Sequence, residues 1–303
     1  MTALETTRIS LPTGVTLKVA QGGPADAEAI ILLHGFPESH RTWRHIAPAL
    51  AEEYRVLAPD QRGFGASDKP VGVEKYSVHE AVADILALAN VYGIERFTLV
   101  GHDWGGAVAW TTALKKANRL NRLVIVNAPH PLIFQRSVIE DPEQRLASQY
   151  IRLFRSPMME KTIEAMGVDA FFDKSFGGHV DLAQIPPEER QASIQDWKRE
   201  GALTAMLNWY RASELVVPAP DEAEPRPAWT RAPFPSVKVP TLVVWGMQDK
   251  ALLPIQLDGL NVLADDLEIV RIPDAGHFLT WERPEPVVTA IRAFMKRGQP
   301  PSP

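Results

Sequence analysis

The chain has 303 residues, 45% hydrophobic and 23% charged, with a net charge of −5, 26 prolines, 8 tryptophans and no cysteine. That balance excludes a broadly basic nucleic-acid binder and gives no reason to expect adsorption to an anionic membrane. Without cysteine there is no disulfide, no thiolate catalysis and no cysteine-held metal, and no apolar run nears the roughly 18–20 residues that span a bilayer. The opening MTALETTRISLPTG has neither a basic region nor an apolar stretch of the secretory kind, so a cytoplasmic location is expected. Strands are predicted at 6–11 and 16–21 around the turn Pro12-Thr13-Gly14. The run AIILL at 29–33 reads as a strand covered on both faces. Helical spacing follows at 43–52, a strand at 54–58, and a helix over 78–92 capped by Ser77 with Glu80 completing a capping box. A strand at 97–100, a helix over 104–116 and a strand at 123–126 continue the rhythm, which implies right-handed crossovers in a parallel sheet.

The rhythm stops at Pro129-His130-Pro131. Helical patterns occupy 143–166, 187–200 and 203–212, the first opened by Asp141-Pro142 as cap and first-turn proline. Seven prolines then crowd residues 218–240, strands return at 241–245 and 267–272, and a helix over 285–295 closes the chain. The expected architecture is an α/β fold with a mostly parallel central sheet flanked by helices and a helical cap inserted after the sixth strand. Core segments are expected at 1–130 and 236–303 and the cap, with its proline-rich return, at 131–235.

Gly101-His102-Asp103-Trp104-Gly105 has the form of a nucleophile elbow, a strand–turn–helix that lifts one side chain above a sheet. Asp103 stands at the raised position and no G-x-S-x-G occurs, so a serine esterase is not expected. The positive end of the following helix stabilises a carboxylate there; an ordinary N-cap is the less favoured reading of Asp103 taken alone. The loop His34-Gly35-Phe36-Pro37 follows an apolar strand and would supply one oxyanion donor, the backbone N–H of Phe36, with that of Trp104 as the other. His34 reads as a support for the loop, and Pro37 as a residue after a cis peptide. Downstream, Asp249 and His277 each follow a strand, and the order nucleophile, acid, histidine is that of an α/β hydrolase. Asp274 is a weaker rival for the acid.

HGFPES (34–39), DQRGFGASDKP (60–70), GHDWGG (101–106), WGMQD (245–249) and Gly276-His277 together resemble the α/β-hydrolase fold family, and within it the epoxide hydrolase branch. That resemblance implies a covalent ester on Asp103, hydrolysed by water that His277 and Asp249 activate. Tyr150 and Tyr210 lie in stretches similar to the lid segments that supply paired tyrosines in epoxide hydrolases. A phenol with a pKa of about 10 keeps its proton at neutral pH and can give it to a departing alkoxide. Haloalkane dehalogenases also follow the nucleophile with tryptophan, and the indoles of Trp104, Trp197 and Trp209 keep that alternative open. Fluoroacetate dehalogenases place arginines where Trp104 and Ala107 stand. A non-catalytic small-molecule-binding protein on the same fold is the alternative of a different class. The implied substrate is a small apolar epoxide with water, in a pocket drawn from Phe36, Pro37, Trp104, Phe134, Phe154, Trp209 and Phe278, some of which will be core. No metal or organic cofactor, nucleic acid or membrane is expected, and a homodimer is left open.

Overall fold

The computed structural model describes residues 4–297; positions 1–3 and 298–303, the ends of the expected core segments, lie outside them. One eight-stranded sheet forms the centre, from β1 (Glu5–Ser10), β2 (Thr16–Gly22), β3 (Ala29–Leu33) and β4 (Arg55–Pro59) to β5 (Phe97–His102), β6 (Leu120–Val126), β7 (Thr241–Gly246) and β8 (Leu267–Ile272). The spatial order is β1-β2-β4-β3-β5-β6-β7-β8. β2 pairs antiparallel with β1 and β4, and every other pairing is parallel. The continuous apolar runs of β3, β5 and β7 are wholly buried, because helices cover both faces. Alternation along β3 divides the two layers. Ile31 and Leu33 pack with α2 (Val78–Val91) and α3 (Trp104–Lys115), after the single-turn α1 (Ala47–Leu50). Ile30 and Leu32 face α1 and the two closing helices, described below.

Seven helices lie between β6 and β7: α4 (Pro131–Glu140), α5 (Pro142–Ala147), α6 (Gln149–Arg155), α7 (Met159–Met166), α8 (Val168–Gly177), α9 (Pro187–Trp197) and α10 (Ala202–Arg211). α11 (Leu279–Glu282) and α12 (Pro284–Met295) end the described chain. The pattern expected as one helix over 143–166 is three. Ser148 ends the first, and the second stops at Ser156, since Pro157 disfavours helical backbone in the residue before it. α4 and α8 were not anticipated. α4 is capped by His130, whose Nδ1 accepts from Leu132 N–H at 3.3 Å, a residue type outside the usual Ser, Thr, Asp and Asn caps. Asp141 does cap α5, accepting from Gln144 N–H at 2.6 Å. Ser77 caps α2 through Glu80 N–H, but the expected capping box is half formed: the Glu80 carboxylate turns to Arg62 at 3.0 Å.

The inserted helices are fastened to the loops that follow β3 and β4. Arg41 forms a two-pronged pair with Glu189 at 2.6 and 2.8 Å. The Trp197 indole N–H donates to the Pro37 carbonyl at 2.9 Å, and that of Trp209 to the Arg62 carbonyl at 3.1 Å. Beneath them the buried Arg62–Asp84 pair ties the β4 loop to α2.

Candidate active site

Four loops at the carboxyl ends of the parallel strands meet beneath α6 and α10. Asp103 occupies the bend between β5 and α3 with φ 50° and ψ −117°. Such backbone costs of order 1–3 kcal/mol and persists only where its surroundings impose it. They do: a Cβ on Gly101 would overlap the Gly105 carbonyl, and one on Gly35 would overlap the Asp103 side chain. The loop after β3, with a cis Phe36–Pro37 bond, therefore presses directly on the carboxylate. Phe36 N–H donates to Asp103 Oδ1 at 2.8 Å. Trp104 is the first residue of α3, so its N–H has no acceptor within the helix. His34 supports the loop, with Nδ1 2.8 Å from the Gly35 carbonyl and Nε2 accepting from Gln61 N–H at 3.0 Å.

Asp249 follows β7 and is buried. Its Oδ1 accepts from the N–H groups of Ala251 and Leu252 at 2.8 and 2.9 Å. Its Oδ2 lies 2.8 Å from His277 Nδ1, and His277 Nε2 lies 3.8 Å from Asp103 Oδ2. Asp103, His277 and Asp249 are thus in one line. Asp274 is elsewhere, exposed and paired with Arg283. Burial would raise Asp249, but the His277 charge and the hydrogen bonds hold it below the usual carboxylate range. Burial would lower His277, and the Asp249 carboxylate, followed by Asp103, overcomes it and raises the imidazole to about 9.

Asp103 opens into a cavity of about 260 Å³ that Trp104, Phe134, Tyr150, Trp209 and Tyr210 also line. The two tyrosine rings lie 6.0 Å apart and nearly perpendicular. Burial, with the Asp103 charge adding to it, pushes both phenols well above their ordinary value, so both hold their protons. Four residues expected in the pocket do not line it. Phe36 and Phe154 form a triangle with the Tyr210 ring, each pair 5.0 Å apart, and so brace the tyrosine. The Pro37 carbonyl is occupied by Trp197. Phe278 is buried against Phe176, behind the histidine.

Three contributors escaped the sequence reading. Asn127, at φ 41° after β6, donates to Asp249 Oδ2 at 2.8 Å and accepts from Gly246 N–H at 2.9 Å. His102 is buried beside Asp103, with Nε2 2.8 Å from the His277 carbonyl and Nδ1 2.9 Å from Glu38 Oε2. A lone Asn after a strand has no spacing signature. Glu38 and His102 sit inside quoted motifs, but nothing in one dimension joins them.

The family model describing the alpha/beta hydrolase fold matches residues 28–284. The chain belongs to that family. The chain is 34% identical over 285 residues to the AB hydrolase superfamily protein YfhM of Bacillus subtilis, which covers 93% of this chain and 95% of that protein. It is 32% identical to Epoxide hydrolase A of Mycobacterium tuberculosis, covering 96% and 97%. A solved structure described as a novel epoxide hydrolase from hot-environment metagenomes superposes with a TM-score of 0.88 at 44% identity, covering 97% of this chain and 99% of that one. Among the described residues no helix is long and apolar enough to cross a membrane, and no group of three His, Asp or Glu side chains could hold a metal ion.

Proposed function

We propose that the hydrolase converts an epoxide to a vicinal diol, with residues 131–235 acting as a cap over a core of 1–130 and 236–303. The observation that carries the reading is the pair of protonated phenols, Tyr150 and Tyr210, lining the same small cavity as Asp103. A strained C–O bond that breaks toward them receives a proton as it leaves. The names of the relatives above support the same class.

Asp103 Oδ1 is anchored by Phe36 N–H, which leaves Oδ2 to attack a ring carbon. The C–O bond breaks, a tyrosine protonates the alkoxide, and a hydroxyalkyl ester remains on Asp103. Esterification removes one of the charges that raise His277; its proton passes to the tyrosinate, and the neutral imidazole then deprotonates water. Hydroxide adds to the Asp103 carbonyl carbon, the Phe36 and Trp104 N–H groups hold the oxyanion, and collapse releases the diol. The haloalkane dehalogenase alternative draws less support, because the Trp197 and Trp209 indole N–H groups are already given to backbone carbonyls, which leaves only the Trp104 indole of the three for a halide.

The test replaces His277 with Gln, exposes the protein to an aryl epoxide or a haloalkane, and weighs it intact. A gain equal to the whole epoxide is expected. A gain equal to the alkyl group alone, from the haloalkane only, identifies a dehalogenase; no adduct on folded protein identifies a binding protein. In the His277-containing enzyme, Tyr150→Phe with Tyr210→Phe abolishes diol formation, and a double variant that still makes diol removes both phenols from the mechanism.

A further inference from the structure

The proline-rich return segment is more than a connection. The exposed residues that line the active-site cavity are His79, Glu214 and Trp229, and they mark its mouth. His79 and Glu214 differ in character, and His79 already meets Lys115 Nζ at 3.3 Å, so the mouth favours neither sign of ion. Trp229 is the apolar member of the three and is 43% exposed.

Its support is hydrogen-bonded to the rest of the insert. Trp229 rides on a single 3-10 turn, Ala228–Thr230. Thr230 is buried, its hydroxyl donates to the Pro227 carbonyl at 2.8 Å, and Arg136 of α4 donates to the Thr230 carbonyl at 2.7 Å. Pro225, Pro227, Pro233 and Pro235 flank the turn, each with its φ fixed by the ring. The Phe234 ring stands 6.2 Å from the indole and itself packs on His130. An indole held out of the core on a pre-set turn loses little conformational freedom when a second ring settles on it.

The cavity is small. At about 260 Å³ it falls below the roughly 300–1,000 Å³ of sites that enclose a drug-sized ligand. Trp229 lines the same cavity as Asp103, at its mouth, so an epoxide seated on Asp103 whose substituent fills the cavity reaches the indole. On this basis, and resting on the epoxide reading above, we propose that Trp229 is a specificity-determining residue: it forms the outer subsite for an aromatic end group of the epoxide, such as an aryl ether.

The test compares phenyl glycidyl ether with 1,2-epoxypropane in the native enzyme, Trp229→Ala and Trp229→Phe. An aromatic contact of ordinary strength predicts that Trp229→Ala lowers the ratio of kcat/KM for the aryl over the small epoxide about threefold to tenfold. The loss is expected in KM rather than kcat, as for binding equally present in ground and transition states, and Trp229→Phe restores most of it. An unchanged ratio, or a parallel loss on both epoxides, overturns the assignment. A native enzyme that opens neither epoxide is a different failure: it removes the epoxide reading itself, and this subsite with it.

Discussion

Replacing Asp103 with Asn copies the charge change of ester formation without any chemistry, and it should release the His277 proton. His277 Nε2 lies 3.8 Å from Asp103 Oδ2, and the imidazole is raised to about 9. Two unit charges at about 4 Å and an effective dielectric constant of about 20 interact by about 4 kcal/mol, or about 3 pH units. Water in the cavity screens part of this, and Asp249, the stronger influence, stays in place. Asp103→Asn is therefore expected to lower His277 by roughly one to three pH units. The assay is an NMR titration of ring-labelled histidine in the native protein and the variant, with the His277 signal assigned through His277→Gln. If the variant titrates within about half a pH unit of the native protein, the nucleophile's charge does not hold the proton. Esterification could not then free the base for the second step.

Asn127→Ala removes a donor to the Asp249 carboxylate and places a Cβ-bearing residue without side-chain hydrogen bonds at positive φ. A loss of about 2–4 kcal/mol in a denaturant titration is expected, together with slower ester hydrolysis in rapid-quench kinetics; normal hydrolysis would show that Asp249 needs no such support. His130 is lowered by burial to about 3 from an ordinary value near 6.5. The depressed value means that its neutral form stabilises the fold above pH 6.5 and that this contribution, roughly 5 kcal/mol in full, is lost as pH falls toward 3. His130→Phe should flatten the fall in stability across that window, measured by denaturation at several pH values, and an unaltered slope would assign the acid sensitivity to other groups.

Much of this arrangement is legible in the amino-acid sequence. Where burial on both faces imposes a continuous apolar run, as in β3 and β7, the strand announces itself, and Asp103 and Asp249 are legible because each follows a buried strand, whereas His277 follows the half-buried β8 and is legible from its place in the order nucleophile, acid, histidine. Residues whose partners are remote are not. Asn127 meets Asp249 across 122 positions, a distance that no local pattern encodes. Which aromatic side chains face the cavity is not legible in one dimension: Phe36 and Phe154 have the composition of a pocket wall, yet they brace Tyr210. The capping box at Ser77 failed for a related reason, since a buried arginine from another loop outcompeted a local backbone N–H for the Glu80 carboxylate.

The bond from Phe36 N–H to Asp103 Oδ1 makes the two oxygens of one carboxylate unequal. Under the proposed mechanism attack is confined to the untethered atom, so each diol would depart carrying that atom and solvent would refill the vacancy. The tethered atom stays behind. In isotopically heavy water the first diol would leave light and every later one heavy, while the enzyme kept a single oxygen from its own synthesis through all its turnovers.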